Sequence, residues 1–132
     1  MKAGRELDAL VAEKVMGWRK IDRIKAGWGK GPQVWDTGED PEQEHSSPTY
    51  QNFRPSESIK DAWVVVEQME ANKWEFCAVG RSSNGRGAWF CEFGKQFQLS
   101  NSEVIAYADT APLAICLASL KAMEIQREAC ET

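Results

Sequence analysis

At 132 residues, with 42% hydrophobic and 27% charged side chains, the chain suits one soluble domain that buries a core without staples. A formal net charge of -4 and a pI near 5.1 argue against bulk nucleic acid as the main partner, which calls for an excess of Lys and Arg. No apolar run approaches the ~20 residues of a membrane span, and the opening MKAGRELDAL is charged and lacks a signal-peptide apolar region. A cytoplasmic protein without a membrane partner is therefore expected.

From Arg5 to Trp18 the residues Leu7, Leu10, Val11, Val15 and Trp18 recur at three- and four-residue steps, which predicts a helix with one buried face. Gly17 weakens its last turn. Residues 19–50 then change character: they are rich in Gly, Pro and charge, basic in the first half and acidic in the second. A long irregular loop is expected there, with Gln33 to Asp36 as a short edge strand. Loops of this length in a small domain are usually functional or disordered.

Pro55 and Ser56 open a second predicted helix, Ser56 to Ala71, with Ser56 as cap and Ile59, Ala62, Trp63, Val66 and Met69 as the buried stripe. Trp74 to Val79 and Ala88 to Phe93 read as strands around the turn GRSSNGRG, where Asn84-Gly85 is a strong hairpin signal. Trp74, Phe76 and Ala78 are expected on one face of the first strand, with Cys77 and Val79 on the other. Gln96 to Leu99 adds further strand character. Both faces of the hairpin are largely apolar, so helices are expected on both sides of the sheet.

Val104 to Ala108 forms the last predicted strand. Asp109 and Thr110 cap a third helix, Ala111 to Glu128, with Pro112 in its first turn. Leu113, Leu117, Leu120 and Met123 make one side of this helix, and its alanines allow a second backbone to come close. A homo-oligomer built on this helix is expected.

Two segments, GRELDALVAEKVMGW near the front and ADTAPLAIC at the start of the last helix, resemble the phage ABA-sandwich domain family. Ser56, Ile59 and Trp63 match the same family in register. The resemblance implies a phage or prophage origin and a three-layer α-β-α sandwich. Together with the residue pattern it sets the expected fold: α/β (α+β), one domain over residues 1–132, with a small, mainly antiparallel sheet covered by helices on both faces.

The candidate chemistry is sparse. His45 is the one histidine and sits in an acidic run, EDPEQEHSSP, which is poor ground for a catalytic triad or a metal site. Cys77, Cys91, Cys116 and Cys130 form no C-x-x-C pair, and Cys77 and Cys91 are expected near each other across the hairpin as reduced thiols. GWGKGP fails the P-loop pattern, because Gly31 stands where a Ser or Thr would bind magnesium. No enzyme and no cofactor is expected.

What remains is recognition. Trp28 and Trp35 lie among Gly, Pro and charge beside Lys30, where an aromatic face and a cation can meet a base and its phosphate. Arg81 and Arg86 flank Ser82, Ser83 and Asn84 in the Gly-rich turn, a pattern that fits an anion; a hairpin tip kept soluble by charge is the other reading. The expected function is therefore a non-enzymatic phage-encoded accessory protein in the host cytoplasm. It would bind and sequester a small anionic, nucleotide-like ligand, such as a host immune signal, through Trp28, Lys30, Trp35, Arg81 and Arg86. The alternative is a module that binds a host or phage protein through the 26–40 loop.

Overall fold

In the computed structural model, the residues described are 2–21, 27, 35–36, 52–83, 85–95 and 103–131. The first helix, α1 (Arg5–Lys14), ends before the expected Trp18. Its periodicity persists, but Gly17 takes a left-handed φ of 72° and turns the chain away. The Trp18 amide reaches back to the Ala12 carbonyl at 2.9 Å. The Trp18 ring then packs against Phe53 at 4.7 Å between centroids.

Two short strands follow, β1 (Arg19–Lys20) and β2 (Trp35–Asp36), paired antiparallel with Arg19 opposite Asp36 and Lys20 opposite Trp35. The basic start of the irregular region thus meets its acidic middle. Of the expected edge strand, Trp35 and Asp36 form it. The strand character expected at Gln96 to Leu99 lies outside the described residues.

The second helix, α2 (Ile59–Ala71), starts later than its sequence pattern suggests. Ser58, not Ser56, caps it, accepting from the Asp61 amide at 3.4 Å. Ser56 is drawn into the interior instead. Its amide donates to Asp8 Oδ1 at 2.8 Å, and its hydroxyl accepts from the Gly4 amide at 3.0 Å. The buried stripe of α2 is Ala62, Val65, Val66 and Met69. Ile59 and Trp63, expected inside, are 53% and 45% exposed. The stripe has rotated because the helix is seated by its β-branched middle against α3 and the first strand of the sheet.

Asn72 ends α2, and Lys73 takes a left-handed φ of 73° to turn into the sheet. That sheet is β3 (Trp74–Arg81), β4 (Trp89–Lys95) and β5 (Glu103–Ala108), antiparallel throughout in the order β3-β4-β5. A bulge between Phe76 and Ala78 corrects the expected alternation. Ala78 pairs with Glu92 and Val79 with Cys91, so Val79 joins the face of Trp74 and Phe76. The bulge leaves Cys77 exposed and without a partner in the ladder, while Cys91 is buried opposite Val79; the two thiols still lie close enough for Cys77 to help raise the Cys91 pKa.

Thr110 starts α3 (Ala111–Glu131), its hydroxyl accepting from the Leu113 amide at 3.3 Å. This helix lies along all three strands of the sheet and also meets α1 and α2. Its alanines face inward: Ala114, Ala118 and Ala122 are fully buried with Ile115 and Cys116. The close backbone approach they permit is used within the chain, not held open for a second subunit. Ser119, also buried, returns its hydroxyl to the Ile115 carbonyl at 2.7 Å.

One buried cluster runs from Leu7 and Val11 of α1 through Val65 and Met69 to Phe93, Val104 and Ile115. Each fully buried side chain of this size contributes about 1.5–3 kcal/mol relative to exposure. The architecture is α+β, three helices with an open three-stranded antiparallel sheet, consistent with an α-β-α sandwich. Helix cover is seen directly on the face of Trp74, Phe76 and Phe93. On the other face Phe90, Ile105 and Tyr107 are half-buried and stand outside that cluster among the described residues.

Candidate functional site

The hairpin between β3 and β4 carries the two arginines singled out by the sequence. The Ser82 amide bonds the Ala88 carbonyl at 2.9 Å and closes the ladder, and Gly85 supplies the left-handed residue of the turn with φ 80°. Gly87 then lies flat against the last strand. A Cβ on it would stand 2.8 Å from the Ala108 amide nitrogen, so only glycine fits. The tip is thereby fixed to the segment that leads into α3.

On this frame each guanidinium lies over an aromatic ring. Arg81 stands 5.4 Å from the centroid of Trp89, its partner across the ladder, and Arg86 stands 5.8 Å from that of Tyr107. Both arginines are exposed, and both rings are half-buried. Trp89 shares the core-facing side of the sheet with Cys91 and Phe93, whereas Tyr107 pairs with Phe90 on the opposite side. The two cations therefore mark one end of the sheet from opposite faces. An exposed cation held over a ring is worth about 0.5–1 kcal/mol.

Of the five expected ligand-binding residues, Trp35, Arg81 and Arg86 lie among the described residues. Arg81 and Arg86 share the hairpin. Trp35 does not present a free aromatic face: it is 2% exposed and belongs to the core, because the β1–β2 pairing carries it inward. Trp28 and Lys30 lie outside the described residues, as do His45 and most of the 26–40 loop. Trp89 and Tyr107 were missed as platforms. Their signal in the sequence was position, an aromatic placed by the hairpin beside each arginine, but both also read as ordinary strand residues.

A second exposed feature lies on α2. Ile59, Trp63 and Val64 are 53%, 45% and 38% exposed, and Trp63 meets Phe76 edge-on at 5.4 Å. Two of these residues, Ile59 and Trp63, expected in the buried stripe from their spacing, also match the family in register.

Buried groups complete the chemical inventory. Asp8 is held above the usual carboxylate range by loss of solvent, partly offset by its bonds to Ser56. Burial pushes the Cys91 thiol up to about 12 and raises Cys116 further. Desolvation and the nearby carboxylates Glu92, Glu75 and Glu103 raise Cys77 as well. These thiols are therefore held protonated, which is the wrong state for a nucleophile. No helix among the described residues is long and apolar enough to cross a membrane.

No curated protein matches this chain. Among solved structures it is similar to a crystal structure of a phage protein from Bacillus cereus, with a TM-score of 0.57 and 22% identity over 91% of this chain and 90% of that one. That likeness concerns the fold. The phage ABA sandwich domain profile matches residues 9–120, which takes in the second part of α1, all of α2, the sheet and the first half of α3. The chain therefore belongs to the phage ABA sandwich domain family.

Proposed function

We propose that this protein is a non-catalytic accessory protein of a phage or prophage that works in the host cytoplasm and holds a small anionic, nucleotide-derived ligand, withdrawing it from a host pathway such as immune signalling. The observation that carries this reading is the paired placement of Arg81 over Trp89 and Arg86 over Tyr107 at one end of the sheet. Guanidiniums supply charge-assisted bonds to phosphate, and the rings beside them offer stacking surface to a base. Trp28 and Lys30 complete the set in this reading, and Trp35 serves as the anchor of their loop, not as a stacking face.

Calorimetry with a panel of cyclic and linear nucleotides tests it. One nucleotide should bind without being altered. Arg81→Ala and Arg86→Ala should each weaken binding about tenfold and reduce its salt dependence. Trp28→Ala should weaken it by a similar factor. A nucleotide returned chemically changed would overturn the non-catalytic assignment.

The exposed Ile59, Trp63 and Val64 favour a second reading, a module that binds a host or phage protein. Absence of nucleotide binding, with loss of a captured partner on Trp63→Ala, would establish it in place of the first. Self-association fits either reading. With Ala114, Ala118 and Ala122 of α3 turned inward, the exposed apolar residues of α2 offer a surface for it.

A further inference from the structure

We infer that the groove between α1 and α3 is a binding site for a small amphiphilic anion, an apolar chain ending in a carboxylate. This site is separate from the arginine-bearing hairpin and does not depend on the function proposed for it. The groove encloses about 470 Å³ and is lined by Leu10 and Lys14 of α1 and by Leu120, Met123, Glu124 and Arg127 of α3. That volume lies within the range of small-molecule clefts, which runs from about 300 to 1,000 Å³.

Its chemistry is graded along its length. The positions 120, 123, 124 and 127 are spaced to share one stripe of α3, and 10 and 14 do the same on α1. Along each wall the residues pass from apolar, Leu10 and Leu120 with Met123, to charged, Lys14 and Glu124 with Arg127. One end therefore suits a hydrocarbon chain and the other an ionised head.

The walls are bridged by a third element. The Asn72 side-chain amide at the end of α2 donates to the Val15 carbonyl at 3.4 Å, just past α1, and to Met123 Sδ at 3.7 Å on α3. A groove tied this way is formed before anything enters it, which removes an ordering cost from binding.

The charges choose the occupant. Among the described lining residues two cations, Lys14 and Arg127, accompany one carboxylate, Glu124, and the ion pairs Lys20 with Glu13 and Arg54 with Glu57 lie elsewhere. A monoanion neutralises the excess, while a dianionic phosphate meets more repulsion from Glu124. A second copy fits worse, because a symmetric contact would double two cations against one carboxylate and leave like charges facing. Among the described lining residues there is no aromatic ring on which a base would stack.

The test is a fluorescence titration of the full chain with cis-parinarate below its micelle concentration, with dodecanoate and dodecanol as competitors. Saturable binding of one molecule per chain is expected. Dodecanoate should displace it, and dodecanol should be at least about tenfold weaker. Lys14→Glu and Arg127→Glu, both at exposed positions, should each weaken binding about tenfold, whereas Glu124→Gln should leave it equal or tighter. Far-UV circular dichroism confirms the fold of each variant. The proposal is overturned by absence of saturable binding, by dodecanol competing as well as dodecanoate, or by indifference to both charge reversals. It is equally overturned if the protein binds only vesicles of anionic phospholipid, or if the groove is filled by a second copy in a dimer that Arg127→Glu dissociates.

Discussion

The seam between α1 and the turn before α2 and the end of the sheet at the β3–β4 hairpin treat polar groups in opposite ways. At the seam Asp8 and Ser56 are buried, the Ser56 amide bonding Asp8 and the Ser56 hydroxyl accepting from Gly4 across about fifty residues of sequence. At the hairpin Arg81 and Arg86 stand in solvent over rings that they partly shield. The first arrangement costs stability if any member is removed, since a buried partner is left without a bond. The second costs little to disturb, because both guanidiniums are exposed and stay solvated when the ring contact is lost. Polar residues that build the fold are thus told from polar residues at the surface by what loses its partner when one is deleted.

The largest effect should come from the core that both regions share. Phe93 is fully buried and packs against Phe76 at 5.9 Å, so Phe93→Ala should cost about 3–5 kcal/mol in urea denaturation. At the seam, Asp8→Ala should cost about 1–3 kcal/mol by leaving the Ser56 amide unpaired. Asp8→Asn keeps an acceptor and should cost much less. It also isolates a pH effect. Because burial raises the Asp8 pKa, its favourable contribution is present when the carboxyl is protonated and is lost as pH rises through the raised value. The stability of Asp8→Asn relative to the parent should therefore improve from acid to neutral pH, and a decline over that interval would show that the ionised carboxylate is stabilising.

Gly87→Ala should destabilise by about 1–3 kcal/mol, since the new methyl would collide with the Ala108 backbone. Unchanged stability would mean that the hairpin tip is not fixed to β5. The smallest effects belong to the arginines: Arg81→Ala and Arg86→Ala should each change stability by no more than about 1 kcal/mol. A larger loss at either would move that arginine from the recognition class to the architectural one.

The type and order of the long elements were legible in the sequence because their apolar spacing reports which face is buried. Boundaries and rotations were less so. At α2 every position in Ala-Trp-Val-Val-Val is apolar, so spacing alone does not say which of Ala62, Trp63, Val65 and Val66 face inward, and contact with α3 and β3 decides it. Ser56 and Ser58 offer the same capping chemistry, and Asp8, distant in sequence, claims the first. The Phe76–Ala78 bulge has no composition signature and inverts the later alternation. At the candidate site the arginines were visible as an exposed cationic turn. The burial of Trp35 was not, because it depends on pairing across a connection whose own residues carry no period.

The contact between Trp74 and the far end of α3 has a use beyond holding the fold. The buried Trp74 indole N–H donates to Gln126 Oε1 at 2.8 Å, joining the first residue of the sheet to the last turns of the final helix. That proton should exchange with deuterium only when the two separate. Its resonance therefore offers a clock for the opening of the helix end, and loading of the neighbouring groove should slow it, whichever ligand does the loading.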